Sequence, residues 1–236
     1  MTSIEAIINR QFLLWEQLKS EPRKEEVPTT LPPQIITVSR QTGSRGSYFA
    51  SKLAHKLDCQ RIHREIIDAI CSSSGYRKRI IESLDERYRT VLDTLVTALL
   101  TGQAVDHGDY YRHLCQVVLS MAELGGIVLV GRGGGFILGP RRGFHIRVVC
   151  PRQERIDNLV SYKNVSATEA EESVERSDAQ RREYISKLFG ANIDDPSWYD
   201  LVFNTAYLDV EEMVGVAIKA FDGKMNKLAR LEREGR

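Results

Sequence analysis

The feature that most constrains the fold is one contiguous segment, residues 35 to 57. Ile35-Ile36-Thr37-Val38-Ser39 is a short β-branched run with no polar alternation, the pattern of a strand covered on both faces. It runs directly into Arg40-Gln41-Thr42-Gly43-Ser44-Arg45-Gly46. Beyond that loop, Phe49, Ala50, Leu53, Ala54 and Leu57 recur at helical spacing. Strand, glycine loop and helix in this order form the opening unit of a parallel sheet, because a doubly covered strand needs helices on both sides. The rest of the chain repeats the alternation. Gly126 to Val130 reads as a second buried strand and enters Gly131-Arg132-Gly133-Gly134-Gly135. Phe144 to Cys150 reads as a third, closed by Pro151, with a helix from about residue 152. Asp200 to Phe203 reads as a fourth. Residues 64–72, 77–101 and 109–124 carry helical periodicity, and 168–188 is a highly charged helical stretch. A last helix from about residue 210 places Val210, Met213, Val214, Ala217, Phe221, Met225 and Leu228 on one face. The fold class is therefore α/β, a parallel sheet flanked by helices.

Ahead of this unit, Ile4, Ile7, Ile8, Phe12, Trp15 and Leu18 mark an amphipathic helix. A charged stretch from Glu21 to Glu26 and prolines at 28, 32 and 33 stop it. Residues 1–33 are read as an appended helix and linker that packs on the domain or on a second subunit as a homodimer contact, and 34–236 as the main domain. Lys+Arg number 33 against 32 Asp+Glu, a net charge of +1, so no global field attracts nucleic acid or an anionic membrane. No apolar run approaches the ~20 residues of a membrane span. The start, Met1-Thr2-Ser3-Ile4-Glu5, lacks the basic and apolar regions of a signal peptide, which predicts a cytoplasmic protein. Cys59, Cys71, Cys115 and Cys150 are too scattered for a zinc site and read as reduced, mostly buried thiols.

The two glycine loops carry the chemistry. A phosphate needs several backbone N–H groups aimed at one point, and a loop entering a helix N-terminus supplies them together with the helix dipole. Gly43, Ser44, Arg45, Gly46 and Ser47 stand in that place. Set against the general motif G-x-x-x-x-G-K-[ST], the first glycine becomes Arg40, the second becomes Arg45 and the lysine becomes Gly46. Ser47 keeps the hydroxyl expected to bind Mg²⁺. Arg40 or Arg45 is then the cation in place of the lysine. The alternative is a ligand-free turn. At the second loop, Arg132 lies at the C-terminal edge of a strand, where open sheets bind ligands. Its alternative is a surface residue. Arg176, Arg181 and Arg182 lie on the charged helix, either as a solvated face or as a mobile lid closing over a phosphate.

Taken in order, Ile36 to Gly46, His63-Arg64-Glu65-Ile66-Ile67, Val128 to Gly133, Asp178-x-x-Arg181 and Tyr199 to Thr205 resemble the cytidylate kinase-like family over roughly residues 34–220. The resemblance implies a P-loop NTPase fold of the nucleoside monophosphate kinase type, with a lid at about 163–190. Arg45 departs from it where that family usually has glycine, and His63 where it often has aspartate. The implied activity is transfer of a phosphoryl group from ATP, with Mg²⁺, to a (d)CMP-like acceptor. The implied sites are Arg40, Gly43, Ser44, Arg45, Gly46 and Ser47 for the donor, with Ser47 on the metal. His63, Arg64, Gly131 and Arg132 would hold the acceptor. Arg132, Arg176, Arg181 and Arg182 would neutralise charge, with Asp178 orienting a lid arginine. The second expectation is a non-catalytic nucleotide-binding regulator on the same scaffold.

Overall fold

The computed structural model describes residues 3–20, 35–84, 86–100 and 108–234. The chain opens with helix α1 (Ile4–Ser20), and the main domain begins at strand β1 (Ile35–Arg40), which leads through the glycine loop into α2 (Gly46–Lys56). Then follow β2 (Gln60–His63), α3 (Arg64–Ser72), α4 (Ser74–Glu82), α5 (Glu86–Leu100), α6 (Gly108–Leu124), β3 (Ile127–Val130), α7 (Gly134–Leu138) and β4 (Phe144–Val149). The chain closes with α8 (Arg152–Lys163), α9 (Ala167–Phe189), β5 (Leu201–Asn204) and α10 (Val210–Arg233). The charged and proline-rich stretch expected as a linker lies outside the described residues, as does residue 101, the expected end of the 77–101 helix.

The described strands form one five-stranded sheet in the order β2-β3-β1-β4-β5, every pair parallel. β1 is its centre, with Ile35 beside Ile127 on one side and Ile36 beside Phe144 on the other. Two apolar layers cover the sheet. One joins Ile35, Ile62 and Leu129 to α3 and α6, and the other joins Val38, Ile146 and Val148 to α2 and α10. The chain first builds outward from β1 towards β2 and then crosses to β4 on the other side. The strand order therefore reverses at β1, and the crevice at the C-terminal ends of β1, β3 and β4 is the place such sheets offer a ligand.

Two elements differ from expectation. β2 has only Ile62 buried and is an edge strand beside β3, so its composition, Gln-Arg-Ile-His, carries no buried-strand signal. The 77–101 periodicity is broken between α4 and α5, where Ser83 caps α4 by donating its N–H and its hydroxyl to Arg79 O, at 3.0 and 2.9 Å. The amphipathic face of α1 is used within the chain. Ile8, Phe12 and Trp15 are buried in the α3–α6 layer, and the Trp15 indole donates to Gly125 O at 3.1 Å. All four cysteines are unpaired thiols, three of them buried. Among the described residues no helix is long and apolar enough to cross a membrane.

Candidate active site

The glycine loop is shaped by side chains that occupy its carbonyls. Asn158 of α8 donates to Gly43 O at 2.9 Å, Thr205 donates to Ser44 O at 3.0 Å, and Gln41 O accepts the Ser44 hydroxyl at 2.8 Å. With the carbonyls held, the N–H groups at the start of α2 remain directed outward, since Phe49 is the first to bond back into the helix, to Arg45 O. Arg45 caps the helix in the left-handed region, at φ 58°. Gly43 has φ +79°, and a Cβ there would lie 2.3 Å from Arg155 O, so the loop packs directly on α8. Ser44 is fully buried and shapes the loop without facing solvent.

Two cavities flank this loop. One, of about 620 Å³, lies between the loop and α8 and is walled by Gly43, Arg45, Ser47, Tyr48, Asn158 and Tyr162. The other, of about 420 Å³, lies over the ends of β1 and β3. Its walls hold Arg64, Glu65, Gly131 and Arg132 on one side and Phe136, Tyr184, Trp198 and Tyr199 on the other. Arg40, Ser177 and Arg181 line both cavities. They form the wall between them.

Arg40 projects from the end of β1, with its Nε 3.5 Å from the Ser47 hydroxyl. Burial, and then the Arg181 guanidinium, push its pKa down to about 10. Arg181 is likewise lowered, by burial and by Arg147 and Arg64, against the opposing pull of Asp178. An arginine does not lose its proton in practice, so these shifts reflect first withdrawal from water and then the closeness of other cations. Arg181 donates to the Thr42 hydroxyl at 2.6 Å and to Asp178 at 3.2 Å. Asp178 is buried and also accepts from Arg155, while the Thr42 N–H approaches it at 3.4 Å. Helix α9 is thereby fastened to the loop.

Arg132 sits in the left-handed region at φ 53° and its guanidinium pairs with Asp68, which also accepts the Tyr110 hydroxyl at 2.7 Å. Burial alone would lower Arg132, but Asp68 outweighs it and the net shift is upward. Burial pushes Tyr184 up to about 12.

Not every residue expected at the site reaches it. His63 bonds to Glu65 at 2.6 Å and lines neither cavity; Glu65 lines the cavity over β1 and β3 in its place. Arg176 is exposed and lines neither. Arg182 is also exposed and reaches only a narrow cleft behind Arg40, beside Arg147. Residues that sequence reading passed over are Arg155, Asn158, Arg147 and the aromatic wall. Arg155 and Asn158 stand three apart on the helix after β4, a spacing that puts both on one face. Phe136, Tyr184 and the adjacent pair Trp198-Tyr199 come from three separate segments and share no spacing signal.

No acidic residue lines the loop-side cavity, and among the described residues no cluster of His, Cys, Asp or Glu suits a metal. Among the hydroxyls lining it, Ser47 stands at the start of α2 and could serve as one ligand of a Mg²⁺ ion otherwise held by phosphates and water.

A central parallel strand that turns through a glycine loop into a helix, with arginines gathered at that turn, defines the P-loop NTPase class, in its nucleoside monophosphate kinase-like form. Residues 35–207 match the model of the cytidylate kinase-like family, and the chain belongs to that family. It is 30% identical over 190 residues to cytidylate kinase from Haloarcula marismortui, covering 80% of this chain and 89% of that protein. A 108-residue stretch is 30% identical to uronate isomerase from Corynebacterium glutamicum, covering 45% of this chain and 21% of that protein, so the chain spans about a fifth of that relative's length. An uncharacterized protein from Eubacterium ventriosum has the same fold, with a TM-score of 0.64 at 19% identity over 80% of this chain and 98% of the other.

Proposed function

We propose that this chain is a nucleoside monophosphate kinase, transferring the γ-phosphoryl group of ATP to the phosphate of a (d)CMP-like nucleotide. The observation that carries the reading is the shared wall. A cavity on the phosphate loop and a cavity lined by aromatic rings meet at Arg40 and Arg181, where a transferring group would be touched from both sides. The loop-side cavity takes the donor, whose phosphates lie on the N–H groups of Gly46, Ser47 and Tyr48, with Gly43 and Arg45 at the rim. The other cavity takes the acceptor. Phe136, Tyr184, Trp198 and Tyr199 offer planar surfaces to a base. Arg132, set by Asp68, and Arg64 hold the phosphate, while Gly131 lets it approach the backbone.

An acceptor phosphate oxygen is already anionic near neutral pH and attacks the γ-phosphorus, forming a new P–O bond. The bond from that phosphorus to the β,γ-bridging oxygen breaks, and the electron pair leaves on ADP. No strong base is needed, and catalysis is positioning and charge neutralisation. Mg²⁺ bound to the donor phosphates, with Ser47 as its protein ligand, would supply further neutralisation. Arg40 and Arg181 stabilise the charge that spreads over the transferring group. Asp178 sets the direction of Arg181.

The test is ADP formation from ATP and Mg²⁺ with CMP, dCMP, UMP, AMP and GMP supplied separately. Acceptor-dependent ADP with CMP or dCMP supports the reading. ATP binding without acceptor-dependent ADP would instead leave the nucleotide-binding regulator.

A further inference from the structure

We propose that the phosphate-binding cation of this loop has exchanged places with a glycine, so that Arg40 acts on the donor phosphates as the lysine does in the general P-loop motif. The proposal rests on the reading above only in taking the loop-side cavity as the donor site. In G-x-x-x-x-G-K-[ST] the first position has no side chain and the seventh carries the cation. Here the first position is Arg40 and the seventh is Gly46.

The structure supplies the reason for the reciprocity. A Cβ on Gly46 would lie 2.5 Å from Arg40 Cβ, and 3.1 Å from both Arg40 Cγ and Val148 Cβ. Arg40 Cβ is held by β1, which pairs with β3 as far as Val38 and with β4 up to Arg40 itself, opposite Val148. The two positions share one volume, and one stem fits. With a side chain at 46 excluded, the stem from 40 runs through that space towards the Ser47 hydroxyl and the second glycine loop. A Cβ on Gly131, where φ is +87°, would stand 3.0 Å from Arg40 Nη1. Gly46 thus admits the base of the arginine and Gly131 admits its head.

The charge accounting points the same way. Arg132, Arg147 and Arg155 each pair with a carboxylate, in Asp68, Asp194 and Asp178, the last shared with Arg181. Among the described residues Arg40 forms no ion pair, and the group that weighs most on it after burial is another cation, Arg181, with the Glu65 carboxylate opposing it more weakly. A partly desolvated charge is relieved by a counter-charge. For Arg40, half-buried in the wall of the loop-side cavity, a bound anion would supply it.

The exchange is tested by calorimetric binding of inorganic tripolyphosphate and of MgATP to Arg40→Gly, Gly46→Lys, the double variant Arg40→Gly/Gly46→Lys, and Arg40→Met. Arg40→Met keeps the stem and removes the charge, so it keeps the fold. We expect Arg40→Met and Arg40→Gly each to lose about 10-fold or more in affinity for both ligands. Gly46→Lys alone should melt at a lower temperature and bind less, because two stems compete. The double variant should regain most of the affinity that Arg40→Gly lost. Wild-type binding by Arg40→Met, or a double variant that melts normally yet binds no better than Arg40→Gly, overturns the exchange. If the rescue appears while no acceptor yields ADP, the exchange stands and the kinase reading falls. If wild-type protein binds neither ligand, both fall.

Discussion

Arg181 and Arg182 are adjacent in sequence and opposite in consequence. Successive helical residues point about 100° apart, so Arg181 turns to Thr42 and the shared wall while Arg182 turns to solvent. Replacing Arg181 with Ala should lower kcat by roughly 10²- to 10³-fold, as for removal of one donor to a developing charge, with ATP affinity largely kept; steady-state kinetics beside calorimetry checks this. His145 gives a second residue-scale expectation. It is buried in β4 with Nε2 2.9 Å from Gly139 O and Nδ1 2.8 Å from the Thr37 hydroxyl. A carbonyl can only accept, so Nε2 carries the proton and Nδ1 accepts from Thr37. Burial holds the ring's pKa below its ordinary 6.5. The unfolded chain therefore takes up a proton near pH 6.5 that the folded chain refuses, and stability is full above that pH and falls below it. Urea denaturation between pH 7.5 and 5.5 should show the decline, and His145→Gln should flatten it.

Helix α9 shows how an element turns spacing into position. Its first turn is fixed by reciprocal bonds between Ser166 and Glu169, and its end by Gly190 in the left-handed region. Between these, Ser173, Ser177, Arg181 and Tyr184 fall on one face, at three- to four-residue intervals, and reach one or both cavities. Asp178 joins that face to Arg155 and Arg181. Asp178→Ala would strand both guanidinium groups, the first of them buried. The expected loss is about 3 kcal/mol or more, measured by urea denaturation, and Asp178→Leu/Arg155→Met should lose less. The helix itself was legible: periodicity placed it at 168–188, and it spans 167–189. Its fastening was not legible. Arg155 is one of several charged residues in α8, and only the crossing of α8, α9 and the loop brings it to Asp178. β2 escaped for another reason, since an edge strand with one buried residue lacks the apolar run that marked β1, β3 and β4.

At the scale of the whole molecule, the glycine loops could be read because strand, loop and helix are contiguous in the chain. The aromatic wall could not, because Phe136 meets the Trp198-Tyr199 pair only once the chain has folded. The same holds for α1. Its apolar stripe was plain, but its partner is the layer of α3 and α6 beneath the sheet. Through Ile8, Phe12 and Trp15 helix α1 is thus part of the core, and Trp15→Ala should cost about 3 kcal/mol or more, visible as a lower melting temperature.

Because α9 forms part of both cavities, whatever fills one touches the helix that also borders the other. An occupant that draws Arg181 and Ser177 inward leaves its neighbour's enclosure already built. Linkage makes the benefit reciprocal: the factor by which the first ligand tightens the second is the factor by which the second tightens the first. The common wall is in this sense a thermodynamic hinge. The expected outcome is that each ligand tightens the other, which calorimetry of either one with and without its neighbour would measure.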